Sequence, residues 1–144
     1  MPCVTLPVDA SGRPLIEIGI SSARSLLPAG AAPPVIHWVN ALIDTGCTIT
    51  SVYTAIAAQA ELPILGKGST NTANGTVACN LFHGDLFIKI PLPNGQVYEY
   101  RFADRRILEL CVKPPAFDAL LGMDMLMRGT FHVNGITKNA TFCW

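Results

Sequence analysis

Short stretches of alternating or continuous apolar residues recur along the chain and predict β-strands. Turn-forming residues separate these stretches, and most of them are too short to be buried helices. The predicted strands are VTLPV, PLIEIGI, VIHWVNALI, TVACNLF, DLFIKIPL, QVYEYRF and ATFCW. This pattern predicts an all-β protein.

Turn signals lie between several of the predicted strands. Asn94-Gly95 predicts a hairpin turn, because both residue types tolerate the positive φ of a tight turn. Asn134-Gly135 predicts a second hairpin near the C-terminus. The proline- and alanine-rich segment Ala23 to Pro34 is typical of an exposed loop.

Only two stretches favour a helix. One is the alanine-rich segment Val52 to Leu62, and the other is a short turn at Asp124 to Arg128. At 144 residues the chain has the length of one domain. We therefore expect residues 1–34, with the first strands and the loop, to belong to the same domain as a core formed by residues 35–144.

Composition and charge exclude several classes of protein. Half of the residues are hydrophobic, 14% are charged, and ten basic residues balance ten acidic ones, which argues against disorder and against nucleic-acid binding. The sequence has neither the pattern of a signal peptide nor that of a membrane span. The five cysteines include no Cys-x-x-Cys pair, so we expect reduced thiols, a cytoplasmic location, and no metal or cofactor.

An acid stands at the end of one predicted strand, in the segment ALIDTGCTIT. Asp44 follows the apolar run Ala41-Leu42-Ile43 and precedes a second strand-like run, Thr48 to Val52. Asp-Thr-Gly can simply end a strand in an Asx-type turn. Between two predicted strands, however, a carboxylate would be held on a rigid support, which favours a functional interpretation.

Three motifs follow one another in a recognisable order. LIDTGC comes first, the polar segment Thr70 to Val77 comes next, and Ala119-Leu120-Leu121-Gly122 precedes the second helical stretch. In this order the motifs resemble those of the retropepsin-like aspartic proteases, most closely the single-domain bacterial members. The resemblance covers about Val35 to Trp144 and implies a closed acid-protease barrel with one or two short helices.

The resemblance implies an aspartic endopeptidase that acts as a homodimer on protein or peptide substrates. Hydrolysis by carboxylates needs one ionised group to activate water and one protonated group to polarise the carbonyl. The chain has a single Asp-Thr-Gly, so a second copy of Asp44 would supply the partner across a two-fold axis. The two carboxylates would share a proton, and activity would favour acidic to near-neutral pH.

The resemblance also assigns roles to individual residues. Asp44, Thr45 and Gly46 are the candidate catalytic residues; Thr45 would bond the partner chain and Gly46 would let the peptide approach closely. A glycine-containing flap would close over the substrate. The candidate substrate-binding residues are Thr48, Thr72, Ala73, Asn74, Gly75, Leu121 and Gly122. Leu120 and Leu121 are expected to pack mainly in the core.

Two positions depart from the family pattern. Cys47 stands where alanine or serine is usual; a thiol fills the same space but is a weak hydrogen-bond donor. Thr48 and Met123 occupy the positions of an acid and an arginine that pair in viral members. Because both partners are missing together, no charge is left unpaired.

The sequence leaves three alternatives open. A Cys47 nucleophile activated by a histidine is disfavoured, because no cysteine-protease motif surrounds it. A weak or inactive dimer could use the same cleft as a peptide-binding module. The chain could also be a fragment processed from a longer precursor.

Overall fold

A computed structural model describes residues 1–144 as ten strands and two short helices. The strands are β1 (Cys3–Pro7), β2 (Leu15–Ser22), β3 (His37–Ile43), β4 (Ser51–Tyr53), β5 (Ile64–Thr72), β6 (Gly75–Pro91), β7 (Val97–Leu110), β8 (Ala119–Leu121), β9 (Thr130–Asn134) and β10 (Asn139–Cys143). The helices are α1 (Thr54–Gln59) and α2 (Met123–Leu126), and one 3-10 turn covers Arg24–Leu26. Neither helix has the length and apolar character that crossing a membrane requires.

Six of the strands form a closed barrel. Their order is β2-β3-β8-β4-β7-β6, and β6 pairs back to β2. Closure leaves these six strands without a free edge along most of the barrel. The prediction of a closed barrel with one or two short helices is confirmed, and the protein is mostly β.

The strand β6 is long enough to belong to two parts of the molecule. Its second half pairs with β2 and β7 in the barrel, whereas its first half pairs with β5 in a hairpin. The hairpin turns at Ala73-Asn74, because Thr72 pairs with Gly75. Gly75 has a φ of 110°, which an L-residue rarely adopts, so glycine suits this turn.

Two parallel strand pairs interrupt the antiparallel barrel. β3 pairs with β8 in parallel, with Ile43 opposite Leu121, and β4 pairs with β7 in parallel. Parallel strands end at the same edge of a sheet. The loops that follow Ile43 and Leu121 therefore leave the barrel side by side.

The apolar core fills the barrel and extends under a smaller sheet. Alternate residues of β2, namely Ile16, Ile18 and Ile20, are buried in it. A three-stranded sheet of order β1-β10-β9 covers one side and contributes Leu6 and Phe142 to the same core. Each large apolar side chain buried in this way contributes about 1.5–3 kcal/mol. Of the two N-terminal strands, β2 thus completes the barrel and β1 joins the smaller sheet.

Several predicted elements have different boundaries in the structure. The strands predicted from TVACNLF and DLFIKIPL are one continuous strand, β6, and the strand predicted from QVYEYRF extends to Leu110. The helix predicted over Val52 to Leu62 begins at Thr54, because β4 extends through Tyr53 and pairs with β7. Strand β5 was not predicted, since its sequence ILGKGSTNT has too few apolar residues to alternate clearly.

Both predicted Asn-Gly turns lie within hairpins. The connection between β6 and β7 is closed by a bond from the Leu92 amide to the Gln96 carbonyl, and Gly95 has a φ of 81°. The connection between β9 and β10 starts after Asn134, whose side chain accepts bonds from the Ile136 and Thr137 amides.

The prediction of five reduced thiols is wrong for two of them. Cys3 and Cys143, which are 140 residues apart in sequence, form a disulfide. They are directly opposite each other in the β1–β10 ladder, a long-range register that cysteine spacing alone does not reveal. Cys47, Cys79 and Cys111 are free.

Replacing Cys3 by serine should lower the free energy of unfolding by about 2–4 kcal/mol, because the disulfide restricts the unfolded chain over a long loop. Urea unfolding of the wild type and the variant, compared under oxidising conditions and again under non-oxidising conditions, measures the change. Cys111→Ser is the matched control, since Cys111 is exposed and unpaired. An unchanged urea midpoint for Cys3→Ser would contradict the prediction.

Candidate active site

Two adjacent loops at the ends of β3 and β8 form the candidate site. The Asp44 amide donates to the Leu121 carbonyl at 3.1 Å, and the Met123 amide donates to the Cys47 carbonyl at 2.8 Å. The Asp124 amide donates to the Thr48 carbonyl at 3.1 Å. These backbone bonds hold the Asp-Thr-Gly loop against the loop that contains the Leu-Leu-Gly motif.

A buried side-chain network joins the same two loops. One carboxylate oxygen of Asp124 accepts bonds from the amide and the hydroxyl of Thr50, both at 2.8 Å. The Thr50 hydroxyl in turn accepts a bond from the Gly122 amide at 3.1 Å, and Thr50 is only 1% exposed. This network is not evident from the sequence, because Thr50 and Asp124 belong to no recognisable motif.

Gly122 lies where the two loops are closest. A Cβ atom at this position would stand 2.8 Å from the Cys47 carbonyl oxygen and 2.9 Å from the Thr50 amide nitrogen. Real Cβ atoms do not approach backbone atoms so closely, so only glycine fits without a backbone shift.

The Asp44 carboxylate is held by its own loop. One oxygen, Oδ1, accepts a bond from the Gly46 amide at 2.8 Å, and the Cys47 amide donates to the Asp44 carbonyl at 3.2 Å. Asp44 is half-buried, whereas Thr45 and Gly46 are exposed. The loop therefore presents its carboxylate and the Thr45 hydroxyl at the surface of the barrel.

Asp44 opens onto a cleft of about 470 Å³. The Asp-Thr-Gly loop forms one side of this cleft, and the β5 strand of the β5–β6 hairpin forms the other. The lining residues are Asp44, Gly46, Cys47, Thr48, Ile49, Ser69, Thr70, Asn71, Leu108 and Leu120. Asp44 is the only acidic residue among them.

The structure brings part of the predicted substrate-binding set to the cleft. Thr48 lines it. Leu121 is fully buried in the core, and the adjacent Leu120 lines the cleft instead. Gly122 lies beneath the Asp-Thr-Gly loop.

The predicted flap residues lie at the tip of the β5–β6 hairpin. Thr72, Ala73, Asn74 and Gly75 are exposed and do not line the cleft. The Thr72 hydroxyl accepts a bond from the Asn74 amide and donates to the Gly75 carbonyl, which closes the turn. The preceding residues 69–71 line the cleft, a distinction that depends on strand register and is not visible in sequence.

Cys47 lies in the cleft but lacks the surroundings of a nucleophile. Its thiol donates to the Ile49 carbonyl at 2.9 Å and lies 3.7 Å from the Ser51 hydroxyl. Burial raises the pKa of the Cys47 thiol, and the hydrogen bond with Ser51 opposes this shift. No histidine bonds to Cys47, and His83 instead contacts Asp104. This geometry argues against the cysteine-nucleophile alternative.

No set of three or more His, Cys, Asp and Glu side chains is arranged to bind a metal ion. The groups that line the cleft are the Asp44 carboxylate, the Cys47 thiol, hydroxyl and amide side chains, apolar side chains and backbone groups.

The fold is similar to those of known acid-protease structures. It matches the crystal structure of a retropepsin-like aspartic protease from Rickettsia conorii with a TM-score of 0.58 and 11% sequence identity, over 97% of this chain and 87% of that chain. It also matches the retroviral protease-like domain of Ddi1 from Leishmania major with a TM-score of 0.40 and 13% identity, over 85% of this chain and 83% of that domain. No protein-family model and no curated protein matches the sequence. The chain has a retropepsin-like fold, as the sequence motifs predicted.

Gly122→Ala should destabilise the protein by about 1–3 kcal/mol, because the added methyl group forces the two loops apart. Chemical denaturation followed by circular dichroism measures the loss. Gly66→Ala is the matched control, since nothing lies within 4 Å of a Cβ atom at Gly66. Equal stability of the two variants would contradict the close packing of the loops.

Cys47 should react slowly with iodoacetamide at neutral pH, because its raised pKa leaves little thiolate and the thiol is half-buried. Mass spectrometry of peptides after timed labelling follows each cysteine separately. The exposed Cys111 is the internal control and should be labelled first. Faster labelling of Cys47 than of Cys111 would revive the nucleophile interpretation.

Proposed function

We propose that this protein is an aspartic endopeptidase whose active site is completed by a second copy of the chain. The observation that carries the proposal is the position of Asp44. Its carboxylate lies at the end of a parallel strand pair, faces a cleft of about 470 Å³, and is the only acid there. The likeness of the fold to the Rickettsia conorii protease supports the same activity.

The need for two carboxylates explains the second copy. One carboxylate cannot both take a proton from water and donate a hydrogen bond to the peptide carbonyl. In a symmetric dimer the two copies of Asp44 meet across a two-fold axis. The ionised carboxylate takes a proton from a water whose oxygen bonds to the peptide carbonyl carbon, while the protonated carboxyl donates a hydrogen bond to the carbonyl oxygen. The carbon–nitrogen bond then breaks, and the carboxyl that took the proton from water passes it to the departing amine.

The exposed neighbours of Asp44 suit such an interface. The Thr45 hydroxyl has no hydrogen-bond partner within its own chain, so it is free to bond the backbone of the partner's loop. Gly46 lines the cleft without a side chain and permits close approach of a substrate backbone. The β5–β6 hairpin, with Thr72 to Gly75 at its tip, covers the bound peptide as a flap.

The lining suggests an extended peptide as substrate. Ile49, Leu108 and Leu120 supply apolar surface on the barrel side. Ser69, Thr70 and Asn71 belong to an edge strand, whose backbone groups can pair with an extended chain. We therefore propose protein segments with apolar residues beside the cleaved bond as substrates.

A second candidate function is peptide binding in the same cleft without hydrolysis. The Gly46 amide bond to the Asp44 carboxylate is also the bond of an ordinary Asx turn, so it does not by itself require catalysis. A dimer that binds peptides without cleaving them would have the same geometry.

Asp44→Asn should abolish peptide cleavage while the protein still folds and dimerises. A peptide library analysed by mass spectrometry measures cleavage, and sedimentation measures the oligomeric state. Asp118→Asn, an equivalent change at an acid that pairs only with Lys113 outside the cleft, should retain activity. Peptide binding by the wild-type dimer without cleavage would favour the binding module.

Mixing wild-type and Asp44→Asn chains tests the shared site directly. If each site needs two Asp44 carboxylates, a ninefold excess of the variant should leave about one tenth of the wild-type activity, by random pairing. The Asp118→Asn chain added in the same excess should not inhibit. Undiminished activity in the presence of excess Asp44→Asn would show that a single chain suffices, and would overturn the proposal.

A further inference from the structure

A bulge in β7 lies on the side of the barrel formed by β6 and β7. Phe102 is opposite Leu86 and Arg105 is opposite Gly84, so two residues of β7, Ala103 and Asp104, face one residue of β6. Asp104 has a φ of 54°, a left-handed conformation that is uncommon outside glycine. Such a bulge changes the direction of the side chains that follow it.

The bulge is held by a fully buried carboxylate. Asp85 accepts bonds from the Asp104 amide at 2.9 Å, the Arg24 amide at 3.1 Å and the Arg101 Nε at 2.7 Å. Its exposure is 0%. A buried carboxylate with three donors fixes the backbone around it, so the bulge is a defined feature of the fold.

The bulge places Arg105 on the same face of the sheet as Phe102. Residues opposite each other in a ladder share a face, and so do residues two apart in one strand. Because Gly84 and Leu86 are two apart, their partners Arg105 and Phe102 share a face. In a regular strand, residues three apart would lie on opposite faces. The bulge therefore turns a guanidinium toward the aromatic side of β7.

A cavity of about 280 Å³ lies on that face. It is bounded by β7, by Arg128 just after α2, and by Trp144 just after β10. Its lining includes three arginines and three aromatic residues, Arg101, Arg105, Arg128, Tyr100, Phe102 and Trp144. It shares no residue with the cleft at Asp44.

The walls of this cavity are well defined. The Trp144 ring lies 5.4 Å from the rings of both Tyr100 and Phe102, centroid to centroid. The Trp144 amide donates to the Pro2 carbonyl at 3.0 Å. Gly129 lies directly against Cys143, which brings the neighbouring Arg128 to the end of β10.

Two of the three arginines of the cavity have no ion-pair partner. Arg101 pairs with Asp85 at 2.7 Å, but Arg105 and Arg128 form no ion pair with any acid of the chain. The Nε of Arg105 and the Nε1 of Trp144 are buried and have no acceptor in the protein. Both N–H groups are closed off from water, so the groups left for a ligand are the remaining N–H donors of Arg105 and Arg128, which have no acceptor within the chain.

We propose that this cavity binds a compact dianion of the phosphate class. A phosphate offers at least three oxygens, enough to accept bonds from both unpaired guanidiniums at once, whereas a single carboxylate has only two oxygens to share between them. Guanidiniums and N–H donors are suited to phosphate oxygens, and the aromatic walls strengthen the attraction by limiting access of water. Arg128 is exposed and Arg105 is half-buried, so the anion enters from the Arg128 side.

Calorimetric titration of the full chain with inorganic phosphate at constant ionic strength tests the proposal. We expect saturable binding of one phosphate per chain, and no comparable binding of acetate. Arg105→Gln and Arg128→Gln should each weaken phosphate binding at least about tenfold, because each removes a charge-assisted contact. Arg106→Gln is the matched control: it is the next residue of β7, is exposed, lies on the opposite face and should bind phosphate as the wild type does.

Phenyl phosphate distinguishes two sources of the phosphoryl group. Tighter binding of phenyl phosphate than of inorganic phosphate would identify a phosphorylated aromatic compound that stacks on Tyr100 and Trp144. Equal binding would identify free phosphate, and either result supports the site. The absence of saturable binding of both compounds, or unchanged binding in the Arg105→Gln/Arg128→Gln double variant, would overturn the proposal.

A fluorescence measurement gives an independent result. The chain has two tryptophans, so Trp38→Phe leaves Trp144 as the only tryptophan reporter. Phosphate should change the emission of Trp144 over the same concentration range as the calorimetric binding. Emission that stays constant while phosphate saturates the chain would place the phosphate elsewhere and overturn the assignment to this cavity.

Discussion

The close approach of two loops at the ends of β3 and β8 is the constraint on which the candidate active site depends. Parallel pairing brings both strands to the same edge of the barrel, and Gly122 lets the loops touch. Thr50 and Asp124 then join them through partly buried hydrogen bonds. The position of Asp44 is therefore determined by the barrel core, and a surface loop with the same sequence would not hold its carboxylate so firmly.

Two carboxylates that do not line the cleft have similar structural roles. Asp124 holds the loop after β3, and the buried Asp85 holds the bulge in β7. In each case backbone N–H groups outside the regular ladder donate to an acidic oxygen, which offsets the cost of removing the acid from water. The regular barrel is thus interrupted by the loop after β3 and by the bulge in β7. The loop directs Asp44 into a cleft, and the bulge directs Arg105 toward a cavity.

The parts of the structure that the sequence predicted are those with local signals. Apolar alternation predicted most strands, Asn94-Gly95 predicted a turn, and Asp-Thr-Gly with Leu-Leu-Gly predicted the fold. Strand β5 lacked such a signal, because its glycines and polar residues are typical of a loop. The disulfide, the Thr50–Asp124 network and the direction of Arg105 depend on which distant residues lie opposite each other. Neither composition nor spacing along one chain contains that information.

The bond between Cys3 and Cys143 turns almost the entire polypeptide into a covalent ring. Both loops of the candidate site and the β5–β6 hairpin lie within this ring. A single cut anywhere between the two cysteines would therefore open the ring without separating any piece from the molecule. A nicked copy would keep its mass apart from one added water, and its two fragments would separate in electrophoresis only after reduction.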